Sequence, residues 1–250
     1  MAALAPYFAQ PWCGTPSPFH VLPPPTYESH PTPPRSSSPS LTPEPSSSSL
    51  SPAARPFQPR IMVQWQPPPD GFVKLNFDGS LYNDGSGRAS IGGVIRDCRG
   101  RVLIAFAERT EHTTVGIVEA QALIRGLRLA RYYFLGGLGM VAEGDDRVLV
   151  RLLRAEDTYT RIPLDMQQEI ITLLGQFPAC QVQHIFREGN QVADALCHAA
   201  YQQQGVWVGA VALPGAVVEK VEDDAYGVKH ERICKPKPPR CDSSIQSLVS

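Results

Sequence analysis

FVKLNFDGS, residues 72–80, decides the fold. Val73, Leu75 and Phe77 alternate with Lys74, Asn76 and Asp78, the period of a strand with one apolar and one polar face. Asp78 falls on the polar parity at the expected strand end, and Gly79 and Ser80 follow it into a turn. Gly and Asn punctuate LYNDGSGRAS before a second apolar run, ASIGGVIRD, and CRGR makes a tight turn into a third, VLIAFAER. Three consecutive strands with short turns form an antiparallel meander.

Downstream of the meander the period becomes helical across VEAQALIRGLRLARYYF, where Leu123, Leu127, Ala130 and Phe134 recur at spacings of four, three and four. Four residues before Leu123 stands Glu119, so a carboxylate heads the buried stripe. GLGMVAEG reads as a fourth strand, and DDRVLVRLLRAE as a helix begun by Asp145 or Asp146, because acids are favoured at helix N-termini. Pro163 opens another helix, PLDMQQEIITLLGQF, at a position proline tolerates. A fifth strand, CQVQHIFRE, and a last helix, QVADALCHAAYQQQ, close the block near Trp207. The order β-β-β-α-β-α-α-β-α spans about 135 residues, the size of one α/β domain.

The flanks differ in texture. Of the 25 prolines in the 250-residue chain, 19 lie within the first 69 positions, interleaved with serine and lacking apolar periodicity. Such a segment buries too little surface to offset its ordering entropy. Residues 1–68 are therefore expected to be disordered, with 70–207 as the folded domain and 208–250 as an irregular or disordered tail. The Pro-rich region is read as a linker or tail able to meet a protein partner, in preference to an organelle leader, since its arginines are few and no amphipathic helix is visible. No apolar run approaches a membrane span, and the longest candidate, from Trp207, is interrupted by Pro214. The six cysteines show no CxxC pair, which favours a reducing compartment, nucleus or cytoplasm ahead of plastid. Cys234 and Cys241 with His230 sit among Lys and Pro at irregular spacing, as an accidental cluster would. The expected state is a soluble monomer without a membrane partner.

Formal charge is −1, from 23 basic and 24 acidic residues, so no broad basic field draws the chain to nucleic acid. Any polyanion must be gripped locally or through metal ions. Asp78, Glu119, Asp145 and Asp194 stand on four different elements, each near a strand end or a helix start, and one compact fold could bring them together. Glu119 on an apolar helix face is costly unless paired, and Arg125 or Arg187 would serve as ordinary salt-bridge partners. Four converging carboxylates would instead repel and raise one another's pKa, which divalent cations relieve. Such a cage suits hard cations with oxygen ligands and phosphodiester chemistry.

KLNFDGS, GGVIRDCRGRVL, EAQALIRGLRLA, EGDDRVLV and HIFREGNQVADALCHAA together resemble the type 1 ribonuclease H family, in particular its plant, reverse transcriptase-like branch. The resemblance runs from Phe72 to about Tyr201. It implies a ribonuclease H-like fold, with a mixed five-stranded sheet flanked by helices, and an enzyme that hydrolyses the RNA strand of RNA/DNA hybrids with two Mg²⁺ or Mn²⁺ ions. It places the metal-binding acids at Asp78, Glu119, Asp145 and Asp194. His184, ten residues before Asp194, matches a mobile histidine that assists proton transfer or product departure; a satisfied structural histidine is the plainer alternative. Asn190 matches a hybrid-holding asparagine and is equally placed to cap the last helix. Gly79 and Ser80 would bring backbone to the RNA strand, where the 2′-hydroxyl distinguishes it from DNA, or would form an ordinary turn.

Two departures stand out. Asp146 replaces the serine that more usually follows the third acid, and could weaken substrate approach or cap its helix. The Lys/Arg-rich protrusion of bacterial members is missing, since Arg147, Arg151, Arg154 and Arg161 are spread out; Arg125, Arg128 and Arg131 of the first helix could supply affinity or form a solvated face. A catalytically inactive nucleic-acid- or protein-binding module derived from a retroelement is the main competing reading. A related 3′ to 5′ exonuclease would carry a DxE pair on the first strand, where this chain has Asp-Gly-Ser.

Overall fold

The computed structural model describes residues 60–82, 84–112, 114–133, 135–157 and 160–234, all within one unit spanning Arg55–Ser250. Strand β1 (Arg60–Val63) precedes β2 (Phe72–Leu81), which carries the sequence quoted above. β2, β3 (Arg88–Arg96) and β4 (Val102–Glu111) form the expected antiparallel meander. Helix α1 (Val115–Tyr132) crosses to β5 (Gly139–Gly144), which lies parallel to β2, and β6 (Cys180–His184) adds parallel to β5. Between those strands run α2 (Arg147–Leu153) and α3 (Leu164–Leu174); α4 (Gln191–Ala199) follows β6.

The main sheet has six strands in the order β6-β5-β2-β3-β4-β7, one more than expected. The extra strand is β7 (Gly205–Val208), antiparallel to β4. Four residues long, it is too short to show a period, and the sequence reading ended the domain inside it. Regular structure also extends beyond 70–207. The expected irregular tail from 208 carries α5 (Gly215–Ala225) and β8 (His230–Ile233), and β8 pairs with β1, which lies inside the segment expected to be disordered. Each strand is only four residues long, too short to show a period. Both are held by long-range partners instead. Residues 1–59 and 235–250, together with Phe134 of the expected helical stripe, lie outside the described residues.

Side-chain alternation along β2 sets the layers. Val73, Leu75 and Phe77 are fully buried against α1 and its neighbours, in a core that includes Leu123, Leu127, Leu149 and Ile170. Each such burial contributes roughly 1.5–3 kcal/mol. Across the sheet, Val94, Ala105 and Trp207 meet Val192 and Leu196 of α4 and Val217 of α5. Helices therefore cover both faces.

Two glycines let those helices approach. A Cβ at Gly79 would sit 2.6 Å from the Glu119 backbone nitrogen of α1, and one at Gly92 would sit 2.6 Å from that of Cys197 on α4. No side chain fits at either place.

Candidate metal centre

Register brings two of the acids together. In the parallel β2–β5 ladder, Asn76 lies opposite Glu143, where the pairing ends. One full side-chain repeat further along each chain stand Asp78 and Asp145, which therefore emerge beside each other. β2 itself runs on to Leu81, so Asp78 is not at the strand terminus as expected; it is the loss of its β5 neighbour that opens the site. Glu119 arrives from α1, one turn into the helix, because Gly79 lets that turn press against β2. Carboxylate oxygens of Asp78, Glu119 and Asp145 all lie within 4.8 Å of one another. Among the described residues no other group of His, Cys, Asp or Glu is gathered in this way.

Electrostatics mark the cluster as incomplete. Burial, then the charges of Asp145 and Asp194, push Asp78 up to about 7, against weaker help from the Cys197 thiol and Arg187. Burial first, then Asp78, Asp145 and Asp146, hold Glu119 well above the carboxylate range, and only a hydrogen bond from the Gly79 N–H opposes them. Asp145 is raised too, chiefly by burial. Glu119 Oε2 is buried without a hydrogen-bond partner, whereas buried polar atoms almost always find one. Neither Arg125 nor Arg187 neutralises it: Arg125 pairs with Glu108, and Arg187 with Asp194. Hard oxygen ligands, mutual repulsion and an orphaned carboxylate oxygen fit a divalent cation.

Asp194, in the first turn of α4, stands at the edge of this triad. It is close enough to raise Asp78, but its Oδ1 accepts from Arg187 Nη2 at 2.8 Å and its Oδ2 lies 3.5 Å from His198 Nε2. Three of the four expected acids are thus assembled, and the fourth is held by an arginine. His184 closes β6 opposite Gly144, half-buried, with its ring edge-on to Phe186 at 5.4 Å. Burial, then Arg147, lowers its pKa, so it is neutral at pH 7.

The expected nucleic-acid contacts are used internally. Asn190 does occupy the N-cap position of α4, but it is buried and makes no cap bond; its Nδ2 donates to the Phe77 carbonyl at 2.9 Å, and its Oδ1 accepts from Asn76 at 3.4 Å. Its side chain clasps α4 to β2 and does not face outward. The Gly79 N–H is spent on Glu119, and Ser80 is a half-buried ladder residue opposite Ser90. Asp146 is the N-cap of α2, its Oδ1 accepting from the Leu149 N–H at 2.8 Å. Arg128 pairs with Glu169, so two of the three α1 arginines are engaged by acids.

Under the site lies a polar layer that sequence reasoning missed. Lys74 Nζ donates to Glu143 at 3.0 Å, Asn76 Nδ2 donates to the other oxygen of Glu143, and Asn76 Oδ1 accepts from both Trp65 Nε1 and Arg96 Nη2 at 2.8 Å. Arg96 lies 3.5 Å above the Trp65 ring and reaches Asp224 of α5 at 2.6 Å. These groups fix the Asn76–Glu143 register on which the acids depend, and they tie Trp65 and α5 to the sheet. Their only sequence signal is the polar parity of Lys74 and Asn76.

A family model described as reverse transcriptase-like matches residues 76–200. The chain belongs to this reverse transcriptase-like family. The match contains all four acids and leaves β1, β7, α5 and β8 outside it. An Arabidopsis thaliana protein with a provisional ribonuclease H name is 27% identical over 178 residues, 70% of this chain but 28% of that protein. The chain therefore spans little more than a quarter of that relative. Among solved structures, ribonuclease H1 from Halobacterium salinarum is 24% identical, covering 53% of this chain and 98% of that one, with a TM-score of 0.47. LC11 ribonuclease H1, solved with an RNA/DNA hybrid, is 25% identical over 52% of this chain and 96% of its own, with a TM-score of 0.48. The family member described here is an α/β domain with a buried acidic cluster.

Proposed function

We propose that the domain is a metal-dependent endoribonuclease that cuts the RNA strand of RNA/DNA hybrids. The observation that carries this reading is the triad of Asp78, Glu119 and Asp145 with its orphaned Glu119 oxygen. Two Mg²⁺ or Mn²⁺ ions bound there would neutralise phosphate charge and supply an activated water for an in-line displacement. Asp78, Glu119 and Asp145 would hold them, with Asp194 as the fourth ligand once it parts from Arg187. Gly79 keeps Glu119 aimed into the cluster, and the Asn76–Glu143 pair keeps Asp78 and Asp145 side by side. His184, neutral and at the rim, can accept a proton there. Family membership and the likeness to ribonuclease H proteins support the same reading.

The test is incubation of the protein with labelled hybrid, double-stranded RNA and single-stranded RNA in Mg²⁺, Mn²⁺ or EDTA. Metal-dependent cuts inside the RNA of the hybrid alone are expected. Binding without cleavage would mark a module that kept the fold and lost the chemistry.

A further inference from the structure

We propose that Arg187, held 2.8 Å from Asp194 at the edge of the acidic cluster, is the residue that anchors the phosphate backbone of the nucleic acid. This rests on the hydrolase reading above and gives Arg187 a role that the sequence analysis, which placed it only as a salt-bridge partner, did not assign. A polyanion approaching four carboxylates needs a fixed cation as well as mobile ones. Arg187 is the guanidinium that faces this cluster, and its charge is felt at Asp78 and Asp145 as well as at Asp194.

The backbone beneath Arg187 is braced while its side chain is largely exposed. It opens a single tight turn, Arg187–Gly189, between β6 and α4. Gly189 is packed so closely that a Cβ would meet Ile185 Cδ1 at 2.7 Å and Val63 of β1 at 3.1 Å. Asn190 is locked to the Phe77 carbonyl, one residue before Asp78. Glu188 accepts from Arg232 of β8 at 2.8 Å, and Arg232 lies 4.4 Å over the ring of Phe186. β1 and β8, two of the three strands outside the family match, thus brace this turn. The Arg187 side chain is nevertheless 69% exposed, and Asp194 takes one arm of its planar fork. A guanidinium fork matches phosphate oxygens bidentately. An exposed ion pair of this kind contributes little to stability, about 0–1 kcal/mol, so a structural role does not account for the bracing.

In this structure Asp194 holds Arg187 at the edge of the cluster. Were Asp194 to serve as a cation ligand, the guanidinium would be left free beside the substrate backbone.

The experiment measures binding of a labelled RNA/DNA hybrid by the full chain in Mg²⁺, in an Asp78→Asn background that disables cutting, across a series of KCl concentrations. Adding Arg187→Ala should weaken binding by about tenfold and lower the slope of log K against log salt by about 0.9, the share of one phosphate contact. The unfolding midpoint and Mg²⁺ affinity should not fall, and Arg187→Lys, which keeps the charge but loses the fork, should lie between. Unchanged binding and slope overturn the proposal, as does a binding loss matched by a drop in the unfolding midpoint or in Mg²⁺ affinity. If the parent binds hybrid and the wild type cuts it while Arg187→Ala is silent, only this inference falls. If the parent binds no hybrid and the wild type cuts none, the functional reading falls and takes Arg187 with it.

Discussion

Replacing Asp78 with Asn should stabilise the metal-free protein, by an amount that depends on pH. Asp78 is 7% exposed, and its pKa is raised from 3.8 to about 7, so its folded-state charge is a net cost. A carboxylate with a raised folded pKa gives its full stability below the unfolded value near 3.8 and loses it as pH rises through 7. At about 1.36 kcal/mol per pKa unit the penalty is roughly 2 kcal/mol at pH 5 and roughly 4 kcal/mol at pH 8. Asn carries no charge, so the advantage of Asp78→Asn over the wild type should grow across that interval. The assay is urea unfolding in EDTA at pH 5 and pH 8, with both proteins fitted to a common slope. Titrating groups remote from Asp78 cancel between the two proteins, and Glu119, relieved of the Asp78 charge, adds to the same advantage at high pH. An advantage that is equal at the two pH values, or a variant less stable than the wild type at pH 8, would refute the reasoning. In saturating Mg²⁺ the wild type should recover what it lost, while the variant, lacking a ligand, should gain less.

Three further substitutions probe separate links. Asp224→Ala leaves the Arg96 guanidinium buried and stripped of its carboxylate, and should cost roughly 3–5 kcal/mol in urea unfolding; a loss within experimental error would show that α5 is not anchored there. Gly79→Ala forces a methyl into the α1 backbone 2.6 Å away and should cost about 1–3 kcal/mol, with weaker Mg²⁺ binding because Glu119 is displaced. His184→Ala should lower kcat by roughly 10²-fold with KM little changed, measured on a single hybrid substrate; a pure KM effect would remove it from proton transfer.

Much of this was legible in the sequence because local periods report local structure. The alternation in FVKLNFDGS and the 3.6-residue stripe through Leu123 and Leu127 gave the meander, α1 and the apolar face on which Glu119 sits. Of the four acids singled out in the sequence, Asp78, Glu119 and Asp145 meet, and Asp194 pairs with Arg187. What was not legible depends on partners distant in the chain. β1 and β8 are four residues each and exist by pairing across about 170 positions. α5 is secured by Val217 and by an ion pair to Arg96, which no period reveals. Asn190 shows the limit of analogy: its place at the head of α4 was right, but burial against Phe77 and Asn76 turns its amide inward. Arg187 was noted as a partner for Glu119, while the fold delivers it to Asp194. Which carboxylate an arginine chooses is settled by a turn braced from two other strands.

The most direct measurement is calorimetric titration of Mg²⁺ or Mn²⁺ into the wild type and Glu119→Gln at pH 7, in buffers of different ionisation enthalpy. Burial and mutual repulsion raise the carboxyl groups of Glu119 and Asp78 above their ordinary range in the metal-free protein, so cation binding should release protons in the wild type. Glu119→Gln should bind weakly or not at all. Binding of equal strength in both proteins, or no binding to the wild type at millimolar metal, would contradict cation binding by Asp78, Glu119 and Asp145.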